Sequence, residues 1–137
     1  FGDMDGVVVS DMELKRGGKS YTVDTLRELS AKGRRLLMLC GTDMVLTFDQ
    51  WYKFEEIFKL CYPVYVRREN DAMLGNMLVS KIQEYYQKYG VMFRRVITDP
   101  IEVSSTEVRR AVAAGEDISH LVPPAVERFI KENRLYL

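Results

Sequence analysis

The run RLLMLC, Arg35 to Cys40, constrains this chain most. It is continuous, apolar and bounded by Gly41, which is the pattern of a strand covered on both faces of a parallel sheet. YPVYVRR, Tyr62 to Arg68, reads as a second strand that ends in basic residues. MFRRVIT, Met92 to Thr98, is a third sheet candidate, and the β-branched run Val7 to Val9 is strand-like.

Helical spacings fall between these runs. Thr22 is an expected N-cap, Asp24 supplies an acid to the first turn, Val23, Leu26 and Leu29 share a face, and Gly33 sits where a left-handed cap is wanted. Asp49 or Gln50 is expected to open a helix in which Phe54, Ile57, Phe58 and Cys61 form one stripe. A longer helix is expected from Asp71 to Tyr89, another after Ser104, and a last one from Ala125 to Asn133 with Pro124 at its first position. The charged segment DMELKRGGK reads as a loop marked by its paired glycines. Strands interleaved with helices in this way predict an α/β fold, a Rossmann-like parallel sheet flanked by helices, over residues 1–137 as a single domain.

Composition narrows the chemistry. Lys plus Arg equals Asp plus Glu at 20 each, so no global basic field favours nucleic acid, and an anion site must be local. With one histidine and two distant cysteines, no metal-ligand spacing occurs and no bound metal is expected. Cys40 and Cys61 lie in apolar surroundings, as buried free thiols do in a reducing, cytoplasmic setting. The longest apolar run, Leu36 to Cys40, is far short of a membrane span, and no membrane partner is expected. The chain opens on FGDMDG without a methionine and runs at once into Val7, which suggests a piece of a longer protein, truncated at the amino terminus.

In parallel α/β sheets ligands bind beyond the carboxyl ends of the strands. The candidates there are Gly41 to Asp43, Arg67 with Arg68, and Ser104 to Arg109. SSTE at Ser104 to Glu107 matches a capping box, Ser104 accepting from the Glu107 amide while Glu107 reaches back. The same amides and hydroxyls form an anion cradle, and Arg109 can lean back over it because helical side chains tilt toward the amino end. Arg110 has a simpler expected partner in Glu107. Gly41 permits close backbone approach, and Asp43 either accepts from sugar hydroxyls or caps the next turn. Trp51 is either a core residue on the Phe54 stripe or a flat surface for a planar, cationic ring. Tyr52 is off that stripe, either exposed or offering a free amide to an anion. Thr22 caps its helix, touches a ligand, or does both, while His120 reads as a surface or satisfied histidine.

Taken in order, SDMELKRGGKSYTVDTLREL, LCGTDMVLTFDQWY, VSSTEVRR and LVPPAVERFIKENRLY resemble the bacterial nicotinate-nucleotide adenylyltransferase family, of the nucleotidyltransferase superfamily. The resemblance runs from Val9 to Tyr136, and the superfamily's ISxTxxR element is met by Val103, Ser104, Thr106 and Arg109. It implies an enzyme that joins ATP to nicotinate mononucleotide with Mg²⁺ assisting, releasing pyrophosphate and making nicotinate adenine dinucleotide for NAD biosynthesis. On that resemblance Ser104, Thr106 and Arg109 hold the ATP phosphates, with Arg109 the catalytic charge, and Gly41 and Asp43 hold the adenosine side. Trp51 stacks on the pyridine ring, and Tyr52 with Thr22 receives the nicotinate carboxylate.

Two departures accompany the resemblance. The family's GGTFDPxHxGH segment does not occur in these residues, so the chain resembles the carboxyl-terminal two thirds of the enzyme, and it is expected to be inactive by itself. A sheet edge left open by a missing first strand is expected to favour a homodimer, strand exchange or aggregation. Arg67 and Arg68 run into Glu69 and Asn70 where the family has proline and glycine. The rival readings are a non-catalytic nucleotide-binding module and a sister adenylyltransferase such as the phosphopantetheine-specific type, the latter disfavoured by Trp51, Tyr52 and SYTVDTL.

Overall fold

The computed structural model describes residues 4–31, 33–67, 72–98 and 103–137, and divides the chain into two compact units, residues 1–99 and 100–137. Arg68, Glu69, Asn70 and Asp71, all named above, lie outside the described residues. The first unit runs α1 (Met12–Arg16), α2 (Thr22–Ser30), β1 (Leu36–Cys40), α3 (Thr42–Leu46), a 3₁₀ turn (Phe48–Gln50), α4 (Phe54–Leu60), β2 (Cys61–Tyr65), α5 (Ala72–Tyr89) and β3 (Arg94–Arg95). The second holds α6 (Ser105–Ala113) and α7 (Pro124–Glu132).

Three parallel strands form the sheet in the order β1-β2-β3. Leu36 pairs with Cys61 and Cys40 with Tyr65, while β3 meets β2 only at Val64 and Tyr65. The expected parallel α/β architecture is therefore present. The expectation that β1 is covered on both faces fails, because Leu37 and Leu39 are 70% and 59% exposed. Strand side chains alternate, so Leu36, Met38 and Cys40 turn toward the core. Tyr62, opposite Leu37, is exposed on the same bare face.

Other local expectations shift as well. Val7 to Val9 form no strand and are exposed, since β-branched propensity without a pairing partner does not make a ladder. The charged segment is not all loop: Met12–Arg16 is helical, ending in Gly17 and Gly18, both at φ +69. Tyr21, not Thr22, is the N-cap of α2, its carbonyl accepting from Asp24 and Thr25, so Thr22 is the first helical residue. Gly33 does take the left-handed conformation expected of it, at φ +68, with its amide on the Ser30 carbonyl. No α-helix opens at Asp49 or Gln50. The 3₁₀ turn closes there, the chain reverses through Lys53 at φ +53, and α4 begins at Phe54, leaving Cys61 in β2.

Phe48 is the hub of the first core. Its ring stacks on Trp51 at 5.0 Å and on Phe58 at 4.9 Å, and meets Phe93 edge-on at 5.7 Å. Tyr85, fully buried, packs on Phe48, Phe58 and Phe93, and its hydroxyl bridges two turns of the opposing chain. It donates to the Val45 carbonyl at 3.1 Å and accepts from the Asp49 amide at 3.2 Å. Lys81 of the same helix grips the Asp49 carboxylate at 2.7 Å. Cys40 and Cys61 are buried free thiols, as expected, and burial pushes both thiol pKa values up to about 11. Both are neutral at pH 7.

In the second unit Val108, Ala111, Ile118 and Ile130 form a separate small core between α6 and α7. Pro124 occupies the start of α7, where its missing N–H has no intrahelical role.

Candidate functional site

Two sets of expected ligand residues are brought together by the fold. Ser20, Tyr21 and Thr22, leading into α2, face Trp51, Tyr52 and Ile57 across an open cleft of about 200 Å³. Thr22 as first helical residue has a backbone N–H with no intrahelical acceptor, and the Tyr52 amide likewise meets no acceptor among the described residues. The cleft thus combines unpaired donors with aromatic surface. Trp51 lies against Phe48, so one wall of the cleft is anchored in the core. Tyr52 tilts on Tyr21 at 4.5 Å between ring centroids and carries the Lys53 ammonium 5.3 Å from its own. Lys53 holds a left-handed backbone that side chains other than glycine rarely adopt, which sharpens the corner between Tyr52 and α4.

Gly41 and Asp43 stand at the end of β1, outside the lining of that cleft. Gly41 is the N-cap of α3, so the capping alternative for Asp43 does not hold. The Asp43 carboxylate is exposed and makes no hydrogen bond among the described residues. Between them Thr42 is 1% exposed and its hydroxyl is buried without a partner.

Ser104, Thr106 and Arg109 gather at the start of α6 in the second unit. The Ser104 hydroxyl accepts from the Glu107 amide at 3.1 Å, the expected cap, but Glu107 makes no return bond to Ser104. Arg109 leans back along the helix and donates to the Thr106 hydroxyl at 3.3 Å, as the tilt of helical side chains requires. The expected Arg110–Glu107 ion pair is not formed. The amides of Ser105 and Thr106 have no acceptor among the described residues, so N–H groups, a hydroxyl and a guanidinium face one small region with no acid paired to that guanidinium.

Two ion pairs of the first unit link distant segments. The Arg27 guanidinium bonds both oxygens of Glu56 at 2.6 Å and also reaches Asp24, which holds the Glu56 carboxyl below its usual range and raises Arg27. Lys81 lowers Asp49 in the same manner. Asp49 therefore contributes stability above its unfolded pKa, lost as pH falls through its lower folded value. His120 is exposed, 4.0 Å from Asp117, and remote in sequence from every candidate group.

Sequence reasoning missed Ser20, Tyr21 and Ile57 as cleft residues. Ser20 and Tyr21 were signalled by adjacency to Thr22, whereas nothing on the helical stripe distinguished Ile57 from an ordinary core residue. It also missed the seat at Gly75, where an added Cβ would come 3.1 Å from the Arg67 guanidinium.

A parallel sheet with helical crossovers, with Gly41 and Asp43 following β1, is a Rossmann-like α/β fold. A profile of the cytidylyltransferase-like family matches residues 2–111. Curated relatives named probable nicotinate-nucleotide adenylyltransferase include one from Citrifermentans bemidjiense, 34% identical over 98% of this chain and 69% of its own length. Another, from Chlorobaculum parvum, is 38% identical over 93% of this chain and 62% of its own length. A third, from Thermoanaerobacter sp., is 31% identical over 93% of this chain and 61% of its own. The chain belongs to the cytidylyltransferase-like family, within its nicotinate-nucleotide adenylyltransferase group. It spans 61% of the Thermoanaerobacter relative and 69% of the Citrifermentans one. Among solved structures, a Plasmodium falciparum nicotinic acid mononucleotide adenylyltransferase complexed with APC superposes with a TM-score of 0.63 at 15% identity, covering 88% of this chain and 60% of that one, which supports the fold.

Proposed function

We propose that the protein acts in adenylyl transfer from ATP to nicotinate mononucleotide, giving nicotinate adenine dinucleotide and pyrophosphate in NAD biosynthesis. The observation that carries this reading is the cleft in which Trp51 faces Thr22 and the unpaired Tyr52 amide. A pyridine ring stacks on the indole, and its carboxylate takes the free N–H groups. At α6, Ser104, Thr106 and Arg109 hold the ATP phosphates, and Asp43 accepts from the adenosine ribose beside Gly41.

In the reaction an oxygen of the mononucleotide phosphate bonds to the α-phosphorus of ATP while the bond to the bridging oxygen breaks, and pyrophosphate leaves with that electron pair. No covalent enzyme intermediate is needed, so the protein's work is in-line placement and stabilisation of charge. Arg109 supplies a positive charge for the leaving phosphates. Bound with ATP, Mg²⁺ would supply counter-charge to the phosphates beside Ser104, Thr106 and Arg109. Among the described residues no cluster of His, Cys, Asp and Glu could hold a metal. The buried free thiols suit a cytoplasmic setting, no described helix could cross a membrane, and the open β1 edge suits pairing with a second copy.

Trp51 is the sole tryptophan, so its fluorescence reports on the cleft directly. Titration with nicotinate mononucleotide should quench it, and substitution Tyr52→Pro, which removes the amide, should weaken nicotinate more than nicotinamide mononucleotide. Binding of both substrates without release of pyrophosphate is the outcome expected of this chain by itself, and only the same result in a chain extended upstream would favour the non-catalytic module. Binding of phosphopantetheine in place of the pyridine nucleotide would overturn the reading.

A further inference from the structure

The two walls of the cleft belong to helices distant in sequence, and what sets the gap between them is visible. Thr22 opens α2, and Arg27 lies five residues further along it; Ile57 lines the opposite wall, and Glu56 immediately precedes it on α4. Arg27 Nε and one terminal nitrogen each donate to a different Glu56 oxygen at 2.6 Å, across 29 residues of sequence. Its other terminal nitrogen donates to Asp24 at 2.6 Å, which fixes the plane of the guanidinium from within α2. Among the described residues this is the one ion pair between α2 and α4. The apolar packing of Val23, Leu26 and Ile57 is non-directional and leaves sliding and rotation weakly determined. A bidentate fork determines both.

We propose that the Arg27–Glu56 fork sets the separation of the cleft walls, which makes Arg27 a positioning residue for the pyridine mononucleotide. The consequence for ligand binding rests on the pyridine reading above, whereas the effect on the walls does not. The pair's side chains are 39% and 37% exposed, and ion pairs that wet contribute little to stability. What the fork supplies is therefore geometry. Lys53 and Lys59 also act on Glu56 by charge alone, but neither bonds it, and the Tyr21–Tyr52 ring contact across the cleft lacks the direction of the fork.

The test compares Arg27→Ala, Arg27→Lys and the wild type in three measurements: melting temperature, acrylamide quenching of Trp51, and affinity for nicotinate mononucleotide and for ATP. Both variants should melt within a few degrees of wild type. In both, Trp51 should become more accessible to quencher and nicotinate mononucleotide should bind about tenfold more weakly, with ATP unchanged, because a small misplacement of a binding wall is costly. Lysine keeps the charge without the fork, so full recovery in Arg27→Lys would overturn the proposal. Unaltered Trp51 quenching in Arg27→Ala would overturn it whether or not the mononucleotide binds. Failure of the wild type to bind nicotinate mononucleotide would instead remove the pyridine reading, while the quenching still decides the fork.

Discussion

The cleft beside α2 and the turn that opens α6 are assembled over different lengths of chain. Around the cleft, the Arg27–Glu56 fork spans 29 residues, and the Tyr85 hydroxyl reaches 36 residues to Asp49 and 40 to Val45. At α6, Ser104 meets Glu107 and Arg109 meets Thr106, each across three residues. The first arrangement exists only when the core is packed, whereas the second needs little more than one helix. Loss of the first core should therefore erase the cleft, whereas the α6 turn depends on its own helix and the small core of Val108, Ala111, Ile118 and Ile130.

Breaking the core tests this most severely. Phe48→Ala removes the ring on which Trp51 and Phe58 stack and should cost about 3–5 kcal/mol of stability. The Trp51 emission should shift toward that of exposed indole well below the wild-type melting temperature. A blue, unshifted spectrum at a near-normal melting temperature would show that the hub assignment is wrong.

Tyr85→Phe is the finer cut. It keeps the ring and removes the hydroxyl, leaving the Val45 carbonyl and the Asp49 amide without that partner, which should destabilise by about 2 kcal/mol in urea unfolding. At α6, Arg109→Ala should weaken ATP about tenfold by calorimetric titration while the melting temperature holds, since the side chain is exposed and among the described residues bonds only Thr106. Equal ATP affinity would remove Arg109 from the phosphate site. Ser104→Ala loses the cap and should cost about 1 kcal/mol, seen as faster amide exchange at Glu107 and along α6 without change at α2 or α4.

Thr42→Val should have the smallest effect. Its hydroxyl is buried and unpaired, so a methyl of like shape removes a desolvation cost, and stability should be unchanged or rise by up to about 1 kcal/mol. A clear loss of stability would show that the hydroxyl has a partner after all.

The same division by chain length explains what could be read in advance. The Ser104 cap and the lean of Arg109 toward Thr106 follow from helix geometry, and both were legible in VSSTEVRR. The Arg110–Glu107 pair obeyed the same spacing and did not form, because spacing permits a surface ion pair without requiring it. A strand at Leu36 to Cys40 was legible from its apolar run, and one beginning near Tyr62 was legible although Cys61 was assigned to the preceding helix and β2 ends at Tyr65. Whether both faces are covered was not, because strand alternation is hidden in a run where every residue is apolar. Val7 to Val9 misled for a related reason: β propensity describes a fit to neighbours, and no described strand pairs with them.

By itself, then, the order of residues determined the alternating strands and helices, the family, and the local geometry of the turn that opens α6, since these depend on residue order, on periodicity and on contacts a few residues apart. Only the tertiary structure decided that Thr22 is a wall of the cleft and not a cap, that Trp51 lies on Phe48 beside α4 and not within it, and that Arg27 reaches Glu56. Those facts rest on contacts between distant segments, and such contacts acquire a definite geometry only when a shared core fills.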